Sequence, residues 1–494
     1  MSLRTTYESE VDDTTITVEV EIDKREIETF GELVKTAFRT AMEFGRKLVV
    51  AVLDARDEEL RESRDKKRYR CKGKRKTCIK TRLGEIEFSR NVYRDRAAPE
   101  AGNCIYLLDK ELGINRVGLA SEDLCGIAAK AVCETTYRGA SKLISETTGQ
   151  SISAQGVWNI IQKIGTRRGE QIEQQADEAT RHMGTGVVES PILYEENDGV
   201  WLALQGKSRK ENGRSKEMKV GIAYDGVQWE LGKGGKKRRT LDCKVAYASF
   251  ESAREFQRNK EGVVASRFNV DEVELRVING DGAQWIQRHG DADCISVLDQ
   301  FHRNKKITEC VRDPEFAKLL RSLLYEKRID DLLECLEAQI NSVMDEQEKA
   351  DLRDLQKYYL NNKDALLGYY DRGRTIPPTK EPGVIHHARL GSMESNVFTL
   401  IGNRMKGRRA CWSIDGANHL ALILCAYHTT GFESMFVEAS ETEKECCTDV
   451  KCSASSVPKR VGKGAELYRA ADLPGYSWLR DLTAYVPFTE MSFA

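Results

Sequence analysis

Apolar residues recur at helical spacing in three long stretches of the chain. Between about 23 and 63 they stand three or four positions apart with charges between them, which predicts a long amphipathic helix that either faces a core or forms a dimer. Residues 105–168 repeat this period, and residues 303–370, rich in Leu, Glu and Lys, predict several consecutive helices. A further helix is predicted at SMESNVFTLIGNRMKG, with Ser392 at its N-cap.

Short apolar strands replace the helices after Pro191. The segments PILYEENDGVWLALQ, EMKVGIAYDG and CKVAYASF have the pattern of strands; a helical stretch at 252–267 follows, and then ELRVINGD, a short helix at GAQWIQRH and the strand CISVL. Three strands, a helix and two further strands predict a mixed sheet with helices on its faces. The expected fold class is therefore α/β, with a mixed-sheet domain that is interrupted by an all-helical insertion and preceded by a mainly helical region.

A block of basic residues changes the picture given by the overall charge. The chain has a formal net charge of −1, yet residues 64–82 contain eleven Lys or Arg and one Asp. Such a block can neutralise several phosphates, although charge runs also occur as solvated faces. The segment TRLGEIEFSRNVYRD behind it alternates as a strand pair does. We expect DNA contacts from the block's basic residues: Lys66, Lys67, Arg68, Arg70, Lys72, Lys74, Arg75 and Lys76.

A second candidate for DNA binding lies in TTYRGASKLISETTGQSISAQGVWNIIQKIGTR. Two helices are predicted around a turn at Gly149-Gln150, with Ser151 or Ser153 capping the second. This arrangement is that of a helix-turn-helix, but any helical hairpin shares it, so both interpretations stay open. The second helix is expected to bury Val157, Ile160, Ile161 and Ile164 and to expose Gln155, Asn159, Gln162 and Lys163.

Three acids lie on separate predicted elements, as a phosphodiester-transfer site requires. Asp198 and Asp281 follow or interrupt apolar strands, and Glu394 lies in the first turn of a helix. Two Mg²⁺ ions about 4 Å apart can neutralise the attacking and leaving oxygens, and Mg²⁺ prefers carboxylates. Each acid also has an ordinary interpretation: Asp198 as a strand residue or a hairpin turn, Asp281 as a helix-capping turn residue, and Glu394 as a favourable charge for the helix dipole.

Asp299 and His302 form a further pair at the end of the strand CISVL. Their i,i+3 spacing places them on one face of a helix, and histidine can donate to a phosphate oxygen. Basic residues follow both this pair and Glu394, where they either contact DNA or form the basic end of a helix. These residues are Arg303, Lys305, Lys306, Arg404, Lys406, Arg408 and Arg409.

The segments YEENDGVWLALQ, VINGDGAQWI, LDQFHRNKKI and GSMESNVFTLIGNRMKG resemble the signature segments of the ISLre-type insertion-sequence transposases of bacteria and archaea. The basic YRCKGKRKTCIKTRLGEIEFSRNVY and IYLLDKELGI resemble the family's amino-terminal half, and the likeness spans roughly 50–435. The resemblance implies a DDE transposase with an RNase H-like fold. It implies Asp198, Asp281 and Glu394 as metal ligands, and Asp299 with His302 as the Asp-x-x-His motif shared with mutator-type transposases.

The resemblance leaves open which acid corresponds to the family's first aspartate, because the family's first motif often has acid-Ala-Asp where Glu196-Asn197-Asp198 stands here. It implies cleavage at the element's ends and strand transfer into double-stranded target DNA, with two Mg²⁺ ions (or Mn²⁺) and a homo-oligomer on DNA. Two alternatives remain: an RNase H-like nuclease or resolvase that uses the same acids, and a domesticated protein whose sheet is inert and whose basic block and helix-turn-helix bind DNA. The expected domains are 1–62 (helical), 63–110 (basic, β-rich), 111–185 (candidate helix-turn-helix), 186–302 (catalytic core), 303–385 (helical insertion), 386–436 (final core helix) and 437–494 (tail).

Composition sets the remaining limits. A chain of 494 residues has room for about three domains. Neither a run of about 18 apolar residues nor an apolar segment after the acidic amino terminus is present, which indicates a cytoplasmic protein without a membrane span. The fourteen cysteines include no Cys-x-x-Cys pair, and we expect reduced thiols.

Overall fold

The computed structural model describes residues 2–8, 15–21, 28–97, 104–114, 116–117, 119–231, 235–286, 293–407, 409–429, 431–432 and 435–436. All of them belong to one compact unit, Met1–Val437. The predicted tail, 437–494, lies outside the described residues. At the amino terminus two strands, β1 (Ser2–Glu8) and β2 (Thr15–Glu21), form an antiparallel pair.

The first long helix, α1 (Phe30–Ser63), confirms the helix predicted there. Thr29 and Glu32 form a capping box at its start, which satisfies amide groups that the first turn leaves free. The second half packs against a hairpin through an apolar cluster, with Val49, Val50 and Leu53 on the helix side. Five large apolar side chains on α1 remain exposed: Phe30, Leu33, Val34, Phe38 and Val52.

The basic block is itself a strand of that hairpin. β3 (Tyr69–Thr81) pairs with β4 (Gly84–Asp95) across a tight turn, with a bulge between Cys71 and Lys74. The predicted strand pair within TRLGEIEFSRNVYRD therefore begins earlier, because the basic residues supply the first strand. Buried Asp57 of α1 accepts from both the backbone and the side-chain amide of Asn91, which fixes the helix to the hairpin. The sheet is completed by β5 (Cys104–Ile105), β6 (Arg116–Val117) and β7 (Ala120–Ser121) in the order β5-β4-β3-β7-β6.

The predicted helical region follows as α2 (Leu107–Leu112), α3 (Glu122–Glu134), α4 (Tyr137–Thr147) and α5 (Ala154–Thr180). Ser153, one of the two predicted caps, accepts from the Gly156 amide. The inward positions Val157, Ile160, Ile161 and Ile164 are buried as predicted. Gln162 was expected to face outward, which is wrong: it is half-buried because its side-chain oxygen bonds the His419 ring, 2.8 Å away.

The turn between α4 and α5 lies directly on the tip of the basic hairpin. The Gly149 amide donates to the Arg82 carbonyl at 2.8 Å. A Cβ at position 149 would lie 2.3 Å from the Leu83 carbonyl oxygen, so only glycine permits this approach. The two predicted DNA-binding elements are thus in contact.

The central sheet has five strands in the order β12-β9-β8-β13-β14. β8 (Ile192–Ala203), β9 (Ser215–Tyr224) and β12 (Val245–Ser249) are antiparallel, whereas β13 (Leu275–Gly280) and β14 (Cys294–Leu298) run parallel to β8. α6 (Gly206–Asn212) and a side hairpin, β10 (Val227–Leu231) with β11 (Lys237–Leu241), connect its strands, and α7 (Ala253–Ala265) covers one face with α5. Alternate residues of β8 enter opposite cores, Leu193 one and Tyr194 the other. This confirms the mixed α/β class.

Four helices follow β14 and form their own apolar core. They are α8 (Gln300–Cys310), α9 (Pro314–Tyr325), α10 (Ile329–Ser342) and α11 (Glu346–Asn361), with two 3₁₀ turns at Asp364–Leu366 and Tyr369–Asp371. The chain then returns to the central sheet, where Tyr194 lies 2.9 Å from the His387 ring and 3.4 Å from the Tyr369 hydroxyl. The helices predicted at 303–370 are confirmed.

The last described helices are α12 (Met393–Val397), a π-helical turn (Phe398–Gly402), α13 (Asn403–Met405) and α14 (Ile414–Tyr427). The helix predicted at GAQWIQRH is only a turn over 284–286, and its remainder lies outside the described residues. The described cysteines form no disulfide with one another. Within the described part of the chain, no helix is both long and apolar enough to cross a membrane.

Candidate active site

The first two predicted acids lie on neighbouring parallel strands. Asp198 stands within β8, which settles the choice between strand and hairpin turn in favour of the strand. Asp281 follows β13 directly, and its carboxylate accepts from the Ala283 amide at 2.9 Å, forming a turn. Burial raises the pKa of Asp198, and the nearby charges of Asp281 and Asp299 act in the same direction. The sheet therefore brings these carboxylates close enough to repel one another.

Asp299 and His302 lie at the end of β14. Asp299 caps α8 by accepting from the amides of Phe301 and His302, and its second oxygen accepts from the Asn279 side chain at 3.0 Å. Burial raises the pKa of Asp299, but the interactions with the His302 ring, the Asn279 side chain and the His302 amide outweigh burial, so the pKa is lowered. His302 Nδ1 is 3.5 Å from Asp299, and Nε2 is 3.9 Å from Asp198. Its interaction with Asp299 raises the pKa of His302 against the effect of burial. The predicted i,i+3 pair is present.

Glu394 completes the predicted set from the other end of the chain. It is exposed in the first turn of α12. A cleft of about 290 Å³ is lined by Glu394, Asp198, Asp299 and His302. Asp281 adjoins this group, because its charge affects the pKa of both Asp198 and His302. Residues separated by long stretches of sequence thus converge on one cleft.

Buried Glu196 holds α12 against the sheet. Its carboxylate accepts from the amides of Gly391 and Ser392, from the Tyr224 hydroxyl at 2.6 Å and from the Asn279 side chain at 2.9 Å. Ser392 occupies the predicted N-cap position, but its hydroxyl makes no cap hydrogen bond; its backbone amide instead donates to Glu196. Since Asn279 also donates to Asp299, one hydrogen-bond network positions three walls of the cleft.

Sequence reasoning missed Glu217 on β9. A Cβ at Gly199 would lie 2.2 Å from the Glu217 carboxylate, which therefore lies over the backbone next to Asp198. Burial raises the pKa of Glu217, and the charges of Asp281 and Asp198 add to this effect. The local pattern SKEMKV gives no signal for this position, because the contact depends on strand pairing.

Sequence reasoning also missed the basic hairpin β10–β11. Lys236, Lys237 and Arg238 are exposed there, and within the described residues none of them has an ion-pair partner. Arg239 donates to the Arg389 carbonyl at 3.0 Å and to the Ser392 hydroxyl, next to Glu394. The run GKGGKKRR was the available signal, of the same kind as the amino-terminal basic block.

The basic residues predicted to contact DNA have different environments. In the amino-terminal block they are exposed, with Arg68 paired to Asp95 and Lys76 to Glu87. Arg303 is half-buried and donates to the Leu366 carbonyl, and Lys306 pairs with Asp354 at 2.6 Å, whereas Lys305 is exposed beside Glu309. Arg404 donates to the Val132 carbonyl between two aromatic rings. Lys406 and Arg409 are exposed, and Arg408 lies outside the described residues.

The electrostatics of the cleft fit divalent cations. Among the described residues, neither Asp281 nor Glu394 has a basic ion-pair partner, and His302 alone approaches Asp198. Oxygen ligands without a protein counter-charge are what Mg²⁺ requires. Asp225, Asp242 and Cys243 also cluster, but Lys380 lies 2.6 and 2.5 Å from the two carboxylates and supplies their positive charge. Of the two acidic clusters, the cleft is therefore the better candidate for a metal site.

We expect Glu196→Gln to destabilise the protein by about 1–3 kcal/mol, because the amide nitrogen would face donors that now bind a carboxylate. Thermal unfolding measures the change. Glu189→Gln, at an exposed position, should stay within about 0.5 kcal/mol of the wild type. Equal stability of the two variants would contradict the role given to Glu196.

Comparison with known proteins places the chain in a family. A family model described as "Uncharacterised protein family (UPF0236)" matches residues 24–443. A UPF0236 protein of Caldanaerobacter subterraneus subsp. tengcongensis is 23% identical over 361 residues, or 72% of each chain, and a second from the same organism is 24% identical over 72% of this chain and 71% of its own. A UPF0236 protein "in vanSb 3'region" of Streptococcus gallolyticus is 22% identical over 71% of this chain and 72% of its own. Since the family match covers most of its length, this protein belongs to the UPF0236 family.

Proposed function

We propose that this protein is a DDE transposase, which cleaves DNA at the ends of an insertion sequence and joins them to target DNA in a metal-dependent reaction. The convergence of Asp198, Asp281 and Glu394 at one cleft carries the proposal. Among the described residues, Asp281 and Glu394 have no basic ion-pair partner and only His302 approaches Asp198, so bound cations would supply the charge that neutralises a phosphodiester undergoing attack.

The topology of the central sheet supports an RNase H-like core. Three antiparallel strands come first in sequence, and two strands parallel to the first of them follow on its other side. In this proposal the α8–α11 helices are an insertion between the second and third acids. Their separate apolar core agrees with an inserted unit.

The names of two relatives supply an independent argument. One from Caldanaerobacter joins eleven locus designations in a single name, and another joins four. Proteins of one name at many loci of a genome are what a mobile element produces by copying itself. We extend this property to the present chain as part of the proposal.

The residues of the cleft have distinct proposed roles. Asp198, Asp281 and Glu394 would hold two Mg²⁺ ions, or Mn²⁺, which supply charge neutralisation at the phosphoryl group. His302, between Asp198 and Asp299, is placed to donate a hydrogen bond to a phosphate oxygen. Asp299 orients that ring while it caps α8. Glu195 has no such role, because it is buried in ion pairs with Lys260 and Arg276.

Asp281→Asn tests the metal-ligand role. We expect it to abolish DNA cleavage in Mg²⁺, at least about 100-fold, while DNA binding persists, since one ligand charge is lost and the turn to Ala283 can be retained. Single-turnover cleavage and filter binding on one preparation measure both. Asp198→Asn should behave alike, and Asp271→Asn, an exposed acid outside the cleft, should keep wild-type rates.

Three outcomes would contradict the proposal in different ways. Near-normal cleavage by Asp281→Asn removes Asp281 from the metal site. Wild-type cleavage without strand joining would identify a nuclease or resolvase. Binding without any cleavage in Mg²⁺ or Mn²⁺ would identify an inert DNA-binding protein.

The exposed basic residues of β3 and of the turn before it are proposed to supply sequence-independent DNA affinity. Lys66 and Lys72 are exposed and have no ion-pair partner among the described residues. Replacing both with Gln should lower the slope of log K against log salt by about 1.8, because each contacted phosphate contributes about 0.9. Replacing Lys207 and Lys318, which are exposed elsewhere, should leave the slope unchanged. An unchanged slope in the first variant would show that β3 is only solvated.

The exposed face of α1 is proposed to join two copies of the chain. Apolar residues repeat there with alternating steps of four and three, the period of a coiled coil, and none of them is buried. In an antiparallel pair, Phe30 would face Ala55 of the second copy, and the remaining layers would also set a large residue against a small one. The residues of this repeat are Phe30, Val34, Ala37, Ala41, Phe44, Leu48, Ala51 and Ala55. A parallel pair would set alanine against alanine in half of the layers.

Ala41→Glu tests this interface. It places a charge in the apolar seam and should raise the dimer dissociation constant roughly 100-fold or more, because the charge would be buried without a partner. Sedimentation equilibrium measures the constant, and unfolding curves should show little change in the monomer, where Ala41 is exposed. Lys35→Glu, exposed off the seam, is the control. A monomeric wild type, or a dimer unaffected by Ala41→Glu, would contradict the proposal.

A further inference from the structure

We propose that the β10–β11 hairpin is a nucleic-acid contact beside the cleft, in which Trp229 stacks on an unpaired base and Lys237 binds the adjoining phosphate. The inference rests on the proposed function and adds to it the form of the DNA: the strand in the cleft has a base separated from its stack. None of these hairpin residues was among the DNA contacts expected from the sequence.

The base of the hairpin is fixed to the segment that leads to Glu394. Val227 and His386 exchange two backbone hydrogen bonds of 2.9 Å. Lys380 bridges Asp225 and Asp242, which flank the two strands, at 2.6 and 2.5 Å. A Cβ at Gly226 would lie 2.4 Å from the Ile385 side chain, so the backbones approach closely. The hairpin therefore has a defined position relative to residues 385–392.

One side of the hairpin faces the same segment. Trp229 stands opposite Arg239 in the antiparallel register, and residues opposite one another share a face. Arg239 donates to the Arg389 carbonyl and the Ser392 hydroxyl, two residues before Glu394. Leu231 and Lys237, the next pair along the strands, continue this face outward. Trp229 is thus on the side of the hairpin that points toward the Glu394 segment.

The exposed residues on this face have the composition of a nucleic-acid surface. Trp229 is 54% exposed and Leu231 77%, so two large apolar side chains on one face of the hairpin are open to a ligand. Lys237 lies on the same face, opposite Leu231, and exposed Lys236 precedes it; neither lysine has an ion-pair partner among the described residues. An aromatic ring beside several cations suits a base with its phosphate, because stacking and backbone contacts act together. A protein partner would have to bring its own acidic residues to pair with these cations.

Separation of a base from its stack also agrees with the geometry of the cleft. The cleft lies between the sheet and α12, with acids on both sides. A strand that leaves the regular duplex path to reach the acids loses base stacking, and an aromatic ring beside the cleft would compensate for that loss. The anchored hairpin offers such a ring next to the entrance.

The test compares full-length Trp229→Ala and Trp229→Phe with the wild type. The probes are a mixed-sequence duplex with blunt ends and the same duplex with a single-stranded 3′ extension that carries 2-aminopurine at successive positions. Trp229→Ala should bind the extended duplex about 10-fold more weakly, and Trp229→Phe should retain most of the affinity. In the wild type, 2-aminopurine fluorescence should be quenched at one position, and Trp229→Ala should abolish that quenching. Blunt-duplex affinity should change less than 2-fold.

Trp201→Ala is the matched control. Trp201 is 58% exposed on β8, but it stands on the face opposite to Asp198 by strand alternation. It should bind both probes as the wild type does, and thermal unfolding should confirm that both alanine variants are folded. Equal affinity and equal quenching in Trp229→Ala would overturn the inference while leaving the proposed function intact. A wild type that binds neither probe would overturn both.

Discussion

The buried carboxylate of Glu196 is the interaction on which the candidate site depends. It accepts hydrogen bonds from the start of α12, from β9 through Tyr224 and from β13 through Asn279. Burying a carboxylate is unfavourable, as the raised pKa of Glu196 shows, unless several donors surround it. The arrangement is therefore stable only when all three elements are assembled. Glu394 reaches the cleft because Glu196, two positions before Asp198, holds the helix that carries it.

The cleft itself concentrates negative charge that the protein leaves partly uncompensated. Elsewhere in the same domain, comparable carboxylates are neutralised internally: Glu195 by Lys260 and Arg276, and Asp225 by Lys380. The contrast is informative, because repulsion between neighbouring carboxylates lowers the stability of the fold unless a bound ligand offsets it. It separates the acids whose charge is compensated within the fold from those whose charge remains available to an external cation.

Much of this organisation could be predicted from the sequence, and the failures have a common cause. The long helices, the mixed sheet and the set Asp198, Asp281 and Glu394 followed from periodicity, strand order and family resemblance. Glu196 was indistinguishable from its acidic neighbours, because its role depends on amides almost two hundred positions away. Glu217 was missed and Gln162 was placed wrongly for the same reason. The residues that surround each side chain come from a neighbouring strand or helix that is distant in sequence. The β10–β11 hairpin could have been recognised from its basic run GKGGKKRR, which lies between segments that were interpreted only as strands.

The α8–α11 helices have a consequence for the cost of assembling the cleft. The chain leaves the central sheet at Asp299 and returns to it near His387, where Tyr194 binds the returning segment. Bringing together the ends of an unstructured connection of about 90 residues would cost roughly 4 kcal/mol, because the chain loses conformational entropy when the loop closes. This cost grows with the logarithm of the length of the connection. A folded unit with its own core has already fixed the distance between its ends. The two halves of the cleft are thus joined by a spacer of set length, and variation inside the helices can accumulate without altering the separation of the acids.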